Sequence, residues 1–479
     1  MKGEKNSMKR TRINHWLGWI LALMMALGLT ACGGNGGETG GDSGAATVEP
    51  PKGEILFYGE YHNSESCTMQ ELEHWQDCYA KGMRHLFLEM GEGTAQLLNM
   101  WMAAEDDTLV QQVYDNTVGT AAHTHDTLEF YQQVKATCPE TVFHGFDVEH
   151  QYKSSGDQCL ALLEPDSDTY NKVSAGMDAA KEFYRLRDAE GGAASEAYRE
   201  PFMANSVIAD YDALGGVSIM VVAGAAHVSN ENSATSEDQA GLTIMADLVK
   251  EHYGDAANVV CTVLDINVPI RTDELTIGDK TYQAEYFGCE NVSTWLEGCD
   301  TREFWHIVDS YDDFSQYKRA SAYLPGGNYI MDTVENEAYA VLYHYADGTE
   351  MWWYAVAYAD DEWGMMTQQV VIPGTQRIDE LTINGKTYQA EYMGSVDVSS
   401  WLEGCKSREF WHILNGFDDF NAWPRSGDML PQSNYPYELD AGEAYAILYH
   451  HTDGTEDWWY GVSALSGEFG VNTFNVIAQ

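Results

Sequence analysis

The chain has 479 residues, 44% of them hydrophobic, and its 75 acidic and 26 basic side chains give a formal net charge of −49. This length is enough for two or three domains. So large an acidic excess repels phosphate backbones and anionic lipid headgroups, which argues against nucleic acid as a partner. The acidic residues are spread along the chain, as expected of a solvated acidic exterior.

The first predicted element is a targeting segment, residues 1–31. Basic residues including Lys9 and Arg12 precede the apolar run WLGWILALMMALGLTA, which ends just before Cys32. A basic start followed by a short apolar run is typical of a signal peptide. The Leu-Thr-Ala-Cys sequence resembles a bacterial lipobox, whose cysteine is lipidated and becomes the mature N-terminus. We therefore expect an extracytoplasmic protein that is lipid-anchored to the bacterial membrane; an ordinary signal peptide or an anchor helix is the alternative.

A tether is predicted over residues 32–53. The segment is rich in Gly, Ser and Pro and has no hydrophobic period. Chains of this composition are flexible, and the segment has an r.m.s. reach of roughly 25 Å. The tether is expected to separate the lipid anchor from the folded part of the protein.

Residues 54–270 alternate short apolar runs with amphipathic stretches. The runs EILFY, HLFLE, TVFHGF, SIMVVAG and NVVCTVLDI predict buried strands, and stretches such as TMQELEHWQDCYAKGM and AGLTIMADLVKEHYG predict helices. Strands that alternate with helices form βαβ units. The predicted fold class is therefore α/β, with a mostly parallel sheet flanked by helices.

The remainder of the chain is an internal duplication, predicted as repeats 271–376 and 377–479. The sequence RTDELTIGDKTYQAEYFG begins at Arg271, and RIDELTINGKTYQAEYMG begins at Arg377, an offset of 377 − 271 = 106 residues. Each copy carries an Asp-Gly pair between alternating aromatic runs, which is a strong hairpin signal. The second part of the fold is therefore predicted as two tandem β-rich α+β repeats.

Each repeat also contains a tryptophan pair on a predicted strand, Trp352-Trp353 and Trp458-Trp459. Adjacent strand residues face opposite sides of a sheet, so one tryptophan of each pair could point outward. An exposed indole could stack on glycans or cell-wall polymers. Core packing or contact between the modules is the alternative.

Eight cysteines follow Cys32, and none of them forms a CxxC pair. A thiolate zinc site is therefore not expected. Disulfides are permitted outside the cytoplasm, but connectivity does not follow from sequence. A Cys289–Cys299 bond within the first repeat and a Cys299–Cys405 bond between the repeats both stay open.

Acidic and imidazole side chains follow the predicted strands of the α/β part. Because ligands bind outside the carboxyl ends of parallel strands, we expect these side chains to meet at one edge of the sheet. Glycines precede several of them, where the backbone must turn sharply or approach a ligand closely. The side chains are Glu60 and His62 after the first strand, Glu89 on the second, Asp147 and Glu149 after the third and His227 after the fourth.

Two chemistries fit this set of side chains. A divalent metal held by Glu60, His62, Glu149 and His227 would lower the pKa of a bound water for hydrolysis. Without metal, His62 or His227 could act as general base on a water, oriented by Glu60 or Glu89. For any single member, a helix cap or a salt bridge is the non-catalytic alternative.

Four segments resemble the ChaN-like branch of the erythromycin-esterase/ChaN/TIKI superfamily: GEYHNSESCTMQELEHW, FLEMGEGTAQLLNMW, YREPFMANSV and VVAGAAHV. The resemblance covers about residues 54–266. It implies that Arg199 lies at a helix start, where a guanidinium could clamp an anionic substrate group. The residues that the resemblance singles out are Glu60, His62, Glu89, Arg199 and His227.

The superfamily is divided in function, so the resemblance leaves three hypotheses. Its esterase members hydrolyse a macrolide lactone and its TIKI members resemble metal-dependent peptidases, which favours a hydrolase-like site, metal-assisted or metal-free, for a small-molecule or peptide substrate. Its ChaN members are lipoproteins linked to haem or iron uptake, which suggests haem binding without turnover. The third hypothesis is an adhesin or cell-wall-binding protein that acts through the repeats. Candidate haem ligands are Tyr58, Tyr61, His123 and His125.

Overall fold

The computed structural model describes two compact units, an α/β unit that ends at Leu264 and a β-rich unit that begins at Asp265 and also includes the short segment Asn63–Ser66. The predicted signal peptide, Cys32 and nearly all of the predicted tether lie outside the described residues. Among the residues that are described, no helix is both long and apolar enough to span a membrane. The described residues are 53–120, 122–236, 238–293, 296, 298–372, 375, 377–431, 434–435, 439–466 and 470–478.

The α/β unit is built on a sheet of five parallel strands, as the sequence predicts. In chain order the strands are β1 (Glu54–Glu60), β2 (His85–Gly91), β3 (Val142–Asp147), β4 (Ile219–Gly224) and β5 (Asn258–Val263). Their order across the sheet is β3-β2-β4-β1-β5. The central strand β4 is buried at all six positions, because helices cover both faces of the sheet.

Helices of the α/β unit cover the two faces of the sheet and form two cores. One core contains Trp75 and Trp101, and the other contains Val207, Tyr211 and Val249; all five side chains are fully buried. In chain order the helices are α1 (Glu65–Ala80), α2 (Glu92–Met102), α3 (Thr108–Asp115), α4 (His125–Thr137), α5 (Asp157–Leu162), α6 (Asp168–Glu190), α7 (Gly192–Ala213), α8 (Ala225–Val228), α9 (Asn230–Ser233) and α10 (Met245–Tyr253), with a π-helical turn at Tyr152–Gly156 and a 3-10 turn at Gly254–Ala256. Helices α1–α4 contribute to the first core, and α7 and α10 to the second.

The first half of the β-rich unit is a seven-stranded antiparallel sheet. Its strands are β6 (Arg271–Ile277), β7 (Lys280–Asn291), β8 (Cys299–Ile307), β9 (Lys318–Pro325), β10 (Ala338–Tyr345), β11 (Glu350–Asp360) and β12 (Gly364–Val371). The order across the sheet is β6-β7-β8-β10-β11-β12-β9. One short helix, α11 (Tyr311–Phe314), and a 3-10 turn at Gly326–Asn328 complete this half among its described residues.

The second half repeats the first strand for strand. Its strands are β13 (Ile378–Ile383), β14 (Lys386–Asp397), β15 (Cys405–Ile413), β16 (Arg425–Pro431), β17 (Ala444–His451), β18 (Glu456–Ser466) and β19 (Gly470–Val476), with the short helix α12 (Phe417–Asn421). The order β13-β14-β15-β17-β18-β19-β16 matches that of the first sheet. The duplication in the sequence is therefore a duplication of fold, and the predicted β-rich repeats are confirmed.

The Asp-Gly pairs of the repeats form hairpin turns, as predicted. Gly348 joins β10 to β11 with a φ of 85°, and Gly454 joins β17 to β18 with a φ of 84°. This left-handed conformation is readily available only to glycine. The preceding Asp347 accepts hydrogen bonds from the backbone N–H and the hydroxyl of Thr349, which closes the turn.

All eight described cysteines are free thiols, so neither of the two disulfides considered from the sequence is formed. The thiol of Cys299 lies 3.4 Å from the carbonyl of Thr301 and 3.3 Å from that of His344. Cys405 makes the equivalent contacts at the same distances in the second repeat. Each of these two buried thiols is therefore hydrogen-bonded within its own sheet.

Candidate functional site

The candidate site lies at the carboxyl ends of the strands of the parallel sheet. Glu60 ends β1, Glu89 lies near the end of β2, Asp147 ends β3 and Gly224 ends β4. These four strands are neighbours, in the order β3-β2-β4-β1. The arrangement delivers side chains that are distant in sequence to one edge of one sheet.

The centre of the site is a group of three side chains, Glu60, His62 and Glu89. Nδ1 of His62 lies 2.5 Å from Oε1 of Glu60. One potential ligand atom from each of the three residues lies within 4.8 Å of those of the other two. The carboxylate of Glu60 raises the pKa of His62 to about 9. The imidazole side chain is 36% exposed, whereas the Glu89 side chain is 11% exposed, so His62 forms the accessible side of the group.

Gly224 provides the space in which this group sits. A Cβ on Gly224 would lie 3.3 Å from Cε1 and Nε2 of His62 and 3.5 Å from Oε2 of Glu89. The Gly224 N–H also donates a 2.6 Å hydrogen bond to Oε2 of Glu89. A side chain at this position would crowd the His62 ring, whereas its distance to Glu89 would be ordinary contact, so the strand ends in glycine where the backbone approaches the imidazole.

Arg199 is buried beneath the group and is only 1% exposed. Its Nε donates to Oδ1 of Asp147 at 2.7 Å, and its Nη2 donates to the other Asp147 oxygen and, at 2.5 Å, to Oε1 of Glu89. Burial raises the pKa of Glu89, but Arg199 together with His227 and His62 outweighs it and lowers that pKa to about 2. Burial also raises the pKa of Asp147 and Arg199 lowers it, and the net result is a lowered pKa.

This environment differs from the one predicted for Arg199. The residue is the eighth of α7 and does not lie at a helix start. Its guanidinium is directed at two buried carboxylates and is shielded from solvent, so it is not placed to clamp a substrate anion. Charge pairing explains the burial, because an arginine is removed from water only where carboxylates compensate its charge.

His227 lies in α8, directly after β4, and is 3% exposed. Its Nδ1 is 2.6 Å from Oε1 of Glu200, and its Nε2 is 3.2 Å from Nη1 of Arg199 and 3.5 Å from Oε1 of Glu89. Burial lowers the pKa of His227, but the Glu200 and Glu89 carboxylates outweigh it and raise the pKa to about 9. His227 therefore adjoins Glu89 but is not part of the three-residue group.

Glu149, predicted as a metal ligand, lies apart from this group. Its side chain is fully buried, and both carboxylate oxygens accept hydrogen bonds from Thr94, one from the hydroxyl at 2.8 Å and one from the backbone N–H at 3.2 Å. Burial raises its pKa. The predicted ligand set of Glu60, His62, Glu149 and His227 is thus replaced by Glu60, His62 and Glu89.

Sequence reasoning missed the partners of His227. Gln239 is buried, and its Nε2 lies 3.3 Å from Nδ1 of His227 and 3.4 Å from an oxygen of Glu200 and of Glu196. Burial raises the pKa of Glu196 to about 8. A signal was present, because Glu196, Arg199 and Glu200 have the i, i+3, i+4 spacing of one helical face.

His150 is a second group that the sequence analysis did not single out. Its Nε2 lies 3.2 Å from Oδ2 of Asp147, and its Nδ1 lies 3.1 Å from the hydroxyl of Tyr184. Burial lowers the pKa of His150 although Asp147 opposes this. Asp147 is therefore held between Arg199 and an imidazole, which fixes the orientation of its carboxylate.

The side chains considered as haem ligands make contacts of their own. Tyr58 stacks on His74 with ring centroids 4.5 Å apart, and Tyr61 accepts a 2.7 Å hydrogen bond from Asn232. His123 stacks on Tyr114 at 4.1 Å. The side chain of His125 lies outside the described part of the structure. The haem hypothesis gains no support from these contacts and stays a prediction.

The chemistry of the Glu60, His62 and Glu89 donors fits a divalent cation. Two carboxylates and an imidazole are ligands that zinc and other first-row metals accept. With Nδ1 of His62 turned towards Glu60, Nε2 is the nitrogen left for a metal, and Glu60 is either a ligand or the orienting partner of the imidazole. Glu89 is ionised at neutral pH, as a metal ligand must be.

Comparison with known proteins leaves the site to be interpreted from its own geometry. No family model matches the chain, and no curated protein matches it. Three similar solved structures are a protein from Bacillus cereus (13% identity, 50% of this chain and 70% of that chain, TM-score 0.33), a variant of the erythromycin esterase EreC in its open conformation (11%, 54% and 83%, TM-score 0.34) and a succinoglycan biosynthesis protein (12%, 48% and 70%, TM-score 0.29). TM-scores in this range assign neither a fold nor an activity.

Proposed function

We propose that the α/β unit is a hydrolase that activates water at the Glu60–His62 pair beside Glu89, with the assistance of a divalent cation. The observation that supports this most directly is the 2.5 Å contact between Glu60 and His62, with a Glu89 carboxylate near enough to share a ligand. The substrate is a small molecule or peptide with an acyl bond, such as that of an ester, a lactone or a peptide, that water can cleave.

The Glu60–His62 pair would position the reacting water. Glu60 accepts the Nδ1–H of His62, which leaves Nε2 to face the water or the cation. With a pKa of about 9, His62 is protonated on both ring nitrogens at neutral pH. Cation binding at Nε2 must therefore release the proton from that nitrogen. A bound divalent cation supplies a water of lowered pKa, which is the nucleophile that hydrolysis needs.

The buried charges behind the pair would act as positioning residues. Arg199 and the Gly224 N–H fix the two oxygens of Glu89, and Asp147 balances the guanidinium. His227 donates to Glu200 and lies against Arg199, so its ring is held in place by both neighbours. We assign His227 to this supporting layer and no longer to the acid–base role expected from the sequence.

The full-length protein tests this proposal directly. Zinc and manganese titrations followed by calorimetry, with hydrolysis assays on aryl esters, lactones and fluorogenic peptides, should show one cation site per chain and cation-dependent turnover. His62→Ala should abolish both, and the matched control His252→Ala, an exposed histidine in the last turn of α10, should leave both unchanged. Full cation affinity and full turnover in His62→Ala would refute the role of the pair.

We further propose that the protein is lipid-anchored outside the cytoplasm through Cys32. The support is the lipobox-like sequence after a basic and apolar segment. Metabolic labelling with a radioactive fatty acid in a bacterial host should mark the protein and fail to mark Cys32→Ala. Equal labelling of the two proteins would contradict the anchor.

A further inference from the structure

The two sheets of the β-rich unit carry the same surface, here called the tryptophan platform. In the first repeat Trp352 pairs with Leu342, Leu342 pairs with Glu303, and His344 pairs with Glu350 in the row beside them. Side chains directly opposite each other on antiparallel strands share a face. The first platform consists of Glu303, His344, Glu350 and Trp352 around the buried Leu342; the second consists of Glu409, His450, Glu456 and Trp458 around the buried Leu448 in the same register.

The indole of each platform is held in a fixed orientation. Trp352 lies 5.1 Å from the buried Trp305, and its ring is within 2° of parallel to that of Tyr354. In the second platform the ring centroid of Trp458 lies 5.2 Å from that of Trp411, and the Trp458 ring is within 3° of parallel to that of Tyr460. A ring fixed by aromatic neighbours loses little conformational entropy when a ligand covers it.

The two members of each tryptophan pair differ in exposure. In the first pair Trp352 is half-buried and Trp353, on the opposite face of the sheet, is 6% exposed; in the second pair Trp458 is 40% exposed and Trp459 is half-buried. Trp352 lies at the position that matches Trp458. The platform tryptophan is thus the more exposed member of each pair, which agrees with the expectation that one of each pair points outward.

A histidine between two glutamates borders each indole. In the first platform His344 lies 2.7 Å from Glu303 through Nε2 and 3.3 Å from Glu350 through Nδ1. In the second, the corresponding contacts of His450 are 2.8 Å and 3.1 Å. Because each nitrogen serves a different carboxylate, the arrangement does not chelate one cation. The histidine fixes the orientation of both carboxylates, and each carboxylate keeps further lone pairs that can accept hydrogen bonds.

We infer that each platform binds an uncharged saccharide, and that the two together bind a polysaccharide. A half-exposed indole takes the apolar C–H face of a sugar ring, and carboxylates beside it accept hydrogen bonds from sugar hydroxyls. The glutamates and the net charge of −49 repel anionic polymers, which excludes an anionic polysaccharide as the ligand. Two equal sites on one chain fit a ligand with repeating units, since a second contact then forms at high effective concentration.

Affinity electrophoresis of the full-length protein through gels that contain soluble uncharged polysaccharides tests the inference. The probes are hydroxyethylcellulose, mannan, arabinoxylan and soluble starch, with polygalacturonate as the anionic control. At least one uncharged polymer should retard the protein. Trp352→Ala or Trp458→Ala alone should weaken the apparent affinity at least tenfold, and the double variant should remove retardation.

The matched control is Trp363→Ala. Trp363 is 57% exposed and lies by the hairpin at the far end of β11, eight strand residues or roughly 25 Å from the platform. This variant should be retarded like the unsubstituted protein. If the tryptophan double variant does not fold, Glu303→Gln with Glu409→Gln keeps the shape of the platform and should weaken retardation at least fivefold.

Three results would overturn the inference. The first is the absence of retardation by every uncharged polymer, and the second is retardation by polygalacturonate alone. The third is undiminished retardation of a folded platform variant. A protein ligand or contact between copies of the chain would give the first of these results, so the test separates a saccharide site from other uses of the same surface.

Discussion

Histidine beside glutamate occurs in both units of the molecule, with a similar exposure of the imidazole (36% for His62 and 29% for His344), but the buried charges behind the pair differ. In the α/β unit His62 contacts Glu60 at 2.5 Å, above a buried Arg199 that holds two further carboxylates. In the repeats His344 lies between two glutamates whose side chains are 23% and 61% exposed. Exposed ion pairs contribute little because water screens them, whereas buried charges interact strongly and must be compensated. The comparison predicts a reactive site at the Glu60–His62 pair and a surface for ligand recognition around His344.

The largest expected effect comes from removing the buried guanidinium. Arg199→Met keeps much of the side-chain volume but leaves Asp147 and Glu89 without their cation. Breaking a buried ion pair from one side typically costs about 3–5 kcal/mol, and the free energy of unfolding measured in urea should fall by that amount. The control Arg185→Met removes an exposed pair with Glu182 and should leave the unfolding midpoint unchanged. Equal losses in both variants would contradict the contrast between buried and exposed charges.

The next effect is the dependence of stability on pH. The pKa of His227 is about 9 in the fold against an ordinary 6.5, so its contribution is complete below pH 6.5 and is lost as pH rises through 9. The pKa of Glu89 is about 2 against 4.5, so its contribution is complete above pH 4.5 and is lost as pH falls through 2. Each difference is worth about 3 kcal/mol by linkage.

Stability measured from pH 2 to pH 10 should therefore be highest between about pH 4.5 and 6.5, the interval between the two ordinary values. His227→Gln should make the alkaline limb shallower, with the contribution of His62 remaining, and Glu89→Gln should make the acid limb shallower and also weaken the alkaline limb, because Glu89 helps to raise the pKa of both histidines. A wild-type profile that these substitutions do not alter would show that other groups control the pH dependence.

A smaller effect is expected when the orientation of His62 is disturbed. Glu60→Gln keeps the shape of the side chain but removes the carboxylate that accepts the Nδ1–H. Loss of such an orienting carboxylate typically weakens metal affinity about 10–100-fold, and zinc calorimetry should show a change in this range. Glu409→Gln alters the carboxylate beside His450 in the second repeat and should leave the zinc affinity unchanged.

The smallest effect is expected in the repeats. His344→Ala and His450→Ala each remove partly exposed pairs with two glutamates, so each should cost about 0.2–1 kcal/mol of unfolding free energy, less at high salt. The two losses should be alike, because the distances to the paired glutamates are similar in the two repeats. A loss several times larger in one repeat would show that the two sheets are not equivalent.

Strand ends were predictable from the sequence, but side-chain directions beyond them were not. Glu60 and Glu89 lie on strands, where side chains alternate between the two faces of the sheet. This alternation and the end of the apolar run together predict where the two side chains lie. Glu149 comes two residues after β3 ends, and there its backbone N–H bonds to Gly176. Its direction is therefore set by the contact with α6 and by Thr94, neither of which is adjacent in sequence.

The burial of Arg199 could not be predicted for a similar reason. The resemblance implied that Arg199 lies at a helix start, whereas α7 begins seven residues earlier. Glu196 and Glu200 share its face, and three charged groups on a buried helical face indicate a compensated network. The spacing was visible in the sequence, but the partners Asp147 and Glu89 come from two different strands.

The sequence by itself determined the α/β class, the duplication with its Asp-Gly hairpins and the acidic and imidazole residues at the strand ends. These follow from local periodicity, turn chemistry and internal comparison, which need no knowledge of distant contacts. Only the tertiary structure decided that Glu89 and not Glu149 joins Glu60 and His62, and that Arg199 is buried. The reason is physical: burial and charge compensation depend on elements brought together across the sheet, and a linear pattern does not contain those distances.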